Sequence, residues 1–132
     1  EAIRNKLEFE FLASSEPAIV YGDRNGLEEL ISNLIENSIL YSEPGGKVVV
    51  KIMVEADRTL LTIEDDGCGI PTNEREKVFE RFYRGAATDK PGTGLGLAIV
   101  KEIATTHNAT TTVASGANGK GTSITISFPK NG

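Results

Sequence analysis

Two amides, a carboxylate beside paired glycines and a glycine-rich run carry most of the chemistry in this 132-residue chain. Asn33, Asn37 and Tyr41 recur at i, i+4 and i+8, so on a helix they line one stripe. Asparagine is a mediocre helix former. Two on one stripe either hydrogen-bond neighbouring backbone or form a polar wall with an oxygen available to a cation. Asp66 precedes Gly67, Cys68 and Gly69, a sharp loop with a carboxylate pinned beside it. That loop reads either as a capped turn or as a buried acceptor for a ligand N–H with no room for side chains. Gly92, Gly94 and Gly96, interleaved with Thr93, Leu95 and Leu97, run directly into an apolar helix. Glycine lets backbone approach a ligand closely. The first helical turn offers unpaired N–H groups and the positive end of a dipole, which suit a phosphate. The same glycines also suit a plain tight turn.

Composition narrows what those groups serve. One domain with one real core fits this length. A net charge of -5 argues against a broad nucleic-acid surface, which calls for excess Lys and Arg. A nucleotide arriving with its own Mg²⁺ needs no basic protein. The single Cys68 excludes an internal disulfide and every multi-cysteine zinc pattern, and reads as a small side chain in a tight loop. No apolar run reaches membrane-spanning length and no signal peptide is visible. The first residue is Glu1, so a piece of a longer protein is expected, monomeric by itself.

The elements that must position the polar residues follow from periodicity. Residues 6–12 alternate, with Leu7, Phe9 and Phe11 against Lys6, Glu8 and Glu10, as in a half-buried strand. Residues 18–21 are expected as a short second strand, and Asp23 as the cap of a helix over residues 24–41. On that helix Leu27, Leu30, Ile31, Leu34 and Ile35 form an apolar arc, with the asparagine stripe at its edge. Residues 47–55 and 59–64 read as a hairpin of two strands ending at the Asp66 loop. Thr72 or Asn73 is expected to cap a short charged helix whose apolar side is Val78, Phe79 and Phe82. Residues 85–91 lack periodicity, as a mobile loop would. The helix after the glycine run continues to His107, and Asn108 ends it in a left-handed conformation. Strands are expected over residues 110–114 and 122–128, separated by Gly116, Gly119 and Gly121, with Ile124, Ile126 and Phe128 on one side.

An asparagine-striped helix, then Asp-Gly-x-Gly, then a Phe-rich segment, then a loop ending in Gly-x-Gly-x-Gly resembles the ATP-binding catalytic domain of bacterial sensor histidine kinases, of the Bergerat-type ATPase superfamily. The likeness spans residues 9–129. Its N box matches residues 33–38, its first glycine box 66–69 and its F box 79–84; its second glycine box matches 92–97 and its third 119–122. The resemblance implies an α+β fold, a two-layer sandwich of three main helices on a mixed sheet of about five strands. ATP would lie between the helices under a lid at residues 85–93. By resemblance, Asp66 accepts the adenine amino hydrogen, Thr122 assists through water, and Tyr41 lies against the base. Gly67, Gly69, Ile70 and Tyr83 would wall the pocket. Arg84 would reach the phosphates, and backbone at Gly92, Thr93, Gly94, Leu95, Gly96 and Leu97 would hold the phosphate tail. Asn37 would give its oxygen to Mg²⁺, a hard cation.

In gyrases, mismatch-repair ATPases and heat-shock chaperones the first N-box position is Glu, able to act as general base for an attacking water. Here it is Asn33, which takes up no proton at neutral pH, so transfer to an outside nucleophile is favoured over hydrolysis. Glu36 falls on another side of the helix and is expected to face solvent. The resemblance makes Asn33 and Arg84 the catalytic pair. The acceptor would be a histidine on a separate helical dimerisation domain, with a response regulator as the indirect partner. His107, the sole histidine, is instead expected to be a helix C-terminal cation or a packing residue. The expected location is cytoplasmic, the intact protein being anchored in a membrane where relatives are. The sequence departs from the pattern at two places: Leu40, where relatives frequently carry Lys or Arg, and Asn108 with Ala109 in place of Gly-Gly. The loss of charge at Leu40 also fits a nucleotide-binding module with weakened catalysis, and an anti-sigma-type serine kinase shares the fold.

Overall fold

In chain order come β1 (Glu8–Ala13), α1 (Arg24–Tyr41), β2 (Lys47–Val54), β3 (Arg58–Asp65), a 3-10 turn (Lys77–Phe79), α2 (Gly96–Thr106), β4 (Thr110–Ser115) and β5 (Thr122–Pro129). The computed structural model describes residues 8–13, 18, 20, 22–42, 45–67, 69, 75, 77–80, 96–116 and 120–129, with backbone alone at 8, 40 and 41. The strands make one sheet in the order β1-β2-β3-β5-β4. β1 is parallel to β2 and every other neighbour pair is antiparallel. A parallel pair needs a crossover, and α1 supplies it. The hairpin between β2 and β3 closes with Glu55 N–H donating to the Arg58 carbonyl at 2.8 Å.

Period-two alternation decides the two faces. On one face, successive rows across the strands read Val54, Thr59, Phe128; then Ile52, Leu61, Ile126; then Val50, Ile63, Ile124; then Val48, Asp65, Thr122. Three rows are dominated by apolar residues and the last turns polar at the end of β3. The helices cover this face, where Val48, Ile63 and Ile126 are fully buried with Leu30, Leu34 and Val100. Each such side chain contributes about 1.5–3 kcal/mol on leaving water. The opposite face is solvated and laced across strands: Lys47 with Glu10 at 2.9 Å, Lys51 with Glu64 at 3.1 Å, and Thr62 with Thr125 at 3.0 Å. None of the described helices is long and apolar enough to cross a membrane.

α1 starts where Asp23 permits. Its carboxylate accepts from Gly26 N–H at 2.7 Å and its carbonyl from Leu27 N–H at 2.9 Å. The helix ends at Ser42, whose hydroxyl donates back to the Ser38 carbonyl at 2.6 Å. α2 closes with a Schellman pattern: Ala109 N–H donates to the Ala104 carbonyl and Asn108 N–H to that of Thr105, with Asn108 at φ 58. The expected left-handed Asn108 is borne out.

Several expectations are corrected. Of the strand expected over residues 18–21, Ala18 and Val20 lie outside the strands, while Ile19 and Tyr21 lie outside the described residues. A four-residue apolar run carries too little periodicity to distinguish a strand from an irregular connection. The described residues hold two main helices rather than three, and the expected charged helix contributes a 3-10 turn at Lys77–Phe79. That form suits a short piece anchored by one buried residue, Val78. Ile31 is 40% exposed rather than part of the buried arc. α2 packs along the asparagine side of α1, which turns the buried arc toward Leu30, Leu34 and Ser38 and leaves Ile31 at its rim.

Candidate functional site

The polar row of the sheet and the meeting of two helices build the site. β3 delivers Asp65 to the helix face in phase with Leu61 and Ile63, and Asp65 is buried. Its Oδ1 accepts from Gly67 N–H at 2.9 Å, which turns the chain sharply after the strand. Thr122, also buried, is paired with Asp65 across the β3–β5 ladder. Position 121 must be glycine for this corner to close. It has φ 77, and a Cβ there would fall 1.9 Å from the Asp65 carbonyl oxygen.

This geometry separates the two adjacent carboxylates. Asp66, expected from its loop as the buried acceptor, is only half-buried, and its Oδ1 is engaged by Lys47 N–H at 3.1 Å, at the start of β2. Asp65 is the carboxylate on the covered face. The missed signal was strand parity: a carboxylate in phase with Leu61 and Ile63 must point the way they point.

The second wall is α1 against α2. Asn33 Nδ2–H donates to the Glu29 carbonyl one turn back at 2.8 Å. The amide oxygen is thereby aimed outward, and a Cβ added to Gly96 would lie 3.4 Å from it. The stripe of α1 therefore meets the first residue of α2, whose opening N–H groups lack intrahelical partners. The backbone-bonding reading of the stripe holds for the nitrogen of Asn33, and its oxygen faces the junction. Asn37 stands half-buried one turn farther on, and Glu36 is exposed, as expected. Among the described residues no group of three or more His, Cys, Asp or Glu could hold a metal. A cation held by one amide oxygen and by phosphates requires no such group. Asn37, one turn beyond Asn33 on α1, carries an oxygen of that kind.

The base of the Phe-rich segment packs on α2. Val78 is buried, and Lys101 Nζ sits 5.8 Å from the centre of the Phe79 ring. Gly69 has φ 78 and approaches Gly121. Ile70, Tyr83, Arg84, Gly92, Thr93, Gly94 and Leu95 lie outside the described residues, as do the side chains of Leu40 and Tyr41 and the expected lid at 85–93.

His107 joins the ends of the two helices. Its Nε2 accepts from Asp23 N–H at 3.0 Å, and its Nδ1 lies 2.8 Å from the Ile103 carbonyl. With Nε2 accepting, Nδ1 is the nitrogen left to donate to the Ile103 carbonyl. Of the two expected roles, packing is the one the geometry supports.

Comparisons with known proteins bear on the family and the fold. Residues 22–132 match the family model described as histidine kinase-, DNA gyrase B-, and HSP90-like ATPase. The chain is 44% identical over 115 residues to the signal transduction histidine-protein kinase/phosphatase MprB of Mycobacterium tuberculosis, a match covering 83% of this chain and 23% of that protein. The chain thus spans about a quarter of the length of the curated relatives it matches. It is also similar to a solved mycobacterial sensor histidine kinase MprB, with 39% identity, a TM-score of 0.88, and coverage of 97% of this chain and 87% of that one. Full-length ShkA in complex with AMPPNP is 26% identical with a TM-score of 0.83, covering 97% of this chain and 26% of that one. Histidine kinase ThkA in complex with response regulator protein TrrA shares the fold at 23% identity and a TM-score of 0.80, covering 98% of this chain and 36% of that one.

Proposed function

The chain belongs to the family of histidine kinase-, DNA gyrase B- and HSP90-like ATPases, and from that premise we propose that it is the ATP-binding catalytic domain of a two-component sensor histidine kinase. In this reading it binds ATP–Mg²⁺ and presents the γ-phosphate to a histidine on a separate dimerisation domain. The observation that carries it is the contact of Asn33 with Gly96, which sets an oxygen-bearing stripe against a helix N-terminus suited to phosphate.

Each described residue then has a task. Asp65, backed by Thr122, accepts the adenine amino hydrogen at the polar end of the sheet, a role the motif alone gives to Asp66. Asn37 offers its side-chain oxygen to the cation, which when bound neutralises charge on the phosphate oxygens. The N–H groups opening α2 hold the phosphate tail. Asn33 orients without taking a proton, so water is poorly activated and an outside imidazole is the better nucleophile. Tyr41, Ile70, Tyr83, Arg84 and the run from Gly92 to Leu95 join the site by resemblance, Arg84 as the phosphate-facing cation and residues 85–93 as the lid. A relative solved with AMPPNP supports the nucleotide, and one solved with a response regulator supports that downstream partner. The domain would work on the cytoplasmic side, where ATP is available.

Mixing the chain with γ-labelled ATP, Mg²⁺ and a separately produced histidine-containing dimerisation domain tests the proposal. Label should appear on the histidine domain and not on this chain. Absence of label on that domain at high concentrations of both proteins would contradict it.

A further inference from the structure

α1 and α2 lie antiparallel and come close at three levels. A Cβ on Gly96 would lie 3.4 Å from Asn33 Oδ1, one on Gly26 would lie 3.7 Å from Ile103 Cγ2, and Asp23 bonds His107. From Asp23 to Asn33 is roughly 15 Å of helix and from Gly96 to His107 roughly 16 Å, at 1.5 Å per residue. The two spans match, so the bond at one end fixes the register at the other.

We propose that His107 is a positioning residue for the nucleotide. By gripping the N-cap residue of α1 it sets where the N-terminus of α2 stands against Asn33 and Asn37, and with it the phosphates and their cation. The inference rests on the nucleotide reading given above. The imidazole bridges two backbones: Nε2 takes the N–H of the residue that caps α1, and Nδ1–H binds the Ile103 carbonyl near the end of α2. Thr106 Oγ1 lies 3.2 Å from Nδ1 as well. Gly22 passes so close over the ring that a Cβ would lie 2.1 Å from His107 Cδ2. The ring is held by a bond on each nitrogen and by backbone against its edge. A lone packing histidine needs none of this matching.

The grip requires an unprotonated Nε2. A second proton would set Nε2–H against Asp23 N–H, two donors facing each other. The first turn of α1 brings Asp23, whose carboxylate already accepts from Gly26 N–H, and Arg24, paired with Glu28 at 3.2 Å. Residues 103–110, on the end of α2 and the turn into β4, bring no other charged group.

Calorimetric titrations with ATP–Mg²⁺ and with adenosine test this on the wild-type chain, His107→Leu, His107→Gln and Gly22→Ala. His107→Leu and Gly22→Ala should weaken ATP–Mg²⁺ by about three- to tenfold, the worth of one net hydrogen bond. Adenosine, which engages only the sheet corner, should keep its affinity. His107→Gln, whose amide oxygen can accept the Asp23 N–H, should recover part of the loss. Equal losses for ATP and adenosine, or no loss for either, would overturn the positioning role, and if the Leu variant fails to fold the other two decide it. A wild-type chain that binds neither ligand would instead bring down the nucleotide reading, and this inference with it.

Discussion

Asp65 and Thr122 stand opposite each other across the β3–β5 ladder, both buried on the face that the helices cover. Their neighbours in the row below, Ile63 and Ile124, are core residues, so the polar pair marks where the core ends and the site begins. A carboxylate and a hydroxyl at the rim of an apolar floor suit a flat base with one exocyclic N–H donor. The distinction between Asp65 and its neighbour therefore has consequences.

Asp65→Asn should weaken adenosine and ATP binding by about ten- to a hundredfold, the worth of a hydrogen bond to a charged acceptor. The fold should survive, because the amide oxygen still accepts Gly67 N–H. Asp66→Asn should change affinity by no more than about twofold, since its oxygen goes on serving Lys47 N–H outside the site. Calorimetry on both variants checks this. A larger loss for Asp66→Asn would return the adenine to that residue.

Asn37→Ala should separate metal from base. ATP affinity in Mg²⁺ should drop by about fivefold or more, as for loss of one ligand oxygen, while affinity in EDTA stays near wild type. Titrations with and without Mg²⁺ measure the two, and equal losses would remove Asn37 from the cation.

Gly121→Ala should damage stability before it damages binding. A Cβ at 1.9 Å from the Asp65 carbonyl, at a backbone φ of 77, forces the β3 corner to move. The expected cost is about 3 kcal/mol or more, from strain and overpacking together. A urea melt showing an unchanged midpoint would contradict it.

Asp23→Ala removes the cap of α1 and should cost about 1 kcal/mol. For a chain of this size that lowers the melting temperature by roughly 3–5 °C. The backbone N–H of residue 23 remains, so the bond to His107 is expected to persist, visible as a retained His107 tautomer by nitrogen NMR.

Local chemistry was legible where it was complete within a few residues. Asp23 followed by a periodic apolar run gave α1 its observed bounds, and the alternation of Ile124, Ile126 and Phe128 gave β5 its buried side. Asn108 could be read because a left-handed residue after a helix has few candidates. Less was legible where two signals competed or where a partner lay far along the chain. Beside Asp65, the glycines drew attention to Asp66, although parity along β3 favoured its neighbour. The partner of His107 Nε2 is Asp23, 84 positions away in sequence. Ile31 fits a helical wheel drawn for one flat floor, and only the docking of α2 rotates that wheel. At Lys77–Phe79, helical spacing over so few residues does not separate an α-helix from a 3-10 turn.

Where ATP settles can be read residue by residue from amide shifts in a nitrogen–proton NMR spectrum as ATP–Mg²⁺ is added. A nucleotide held between the sheet corner and the two helices should move the signals of Asp65, Thr122, Asn33, Asn37 and Gly96 saturably, leaving Lys51, Thr62 and Thr125 on the solvated face still. Shifts confined to that outer face, or none at saturating ATP, would contradict the site.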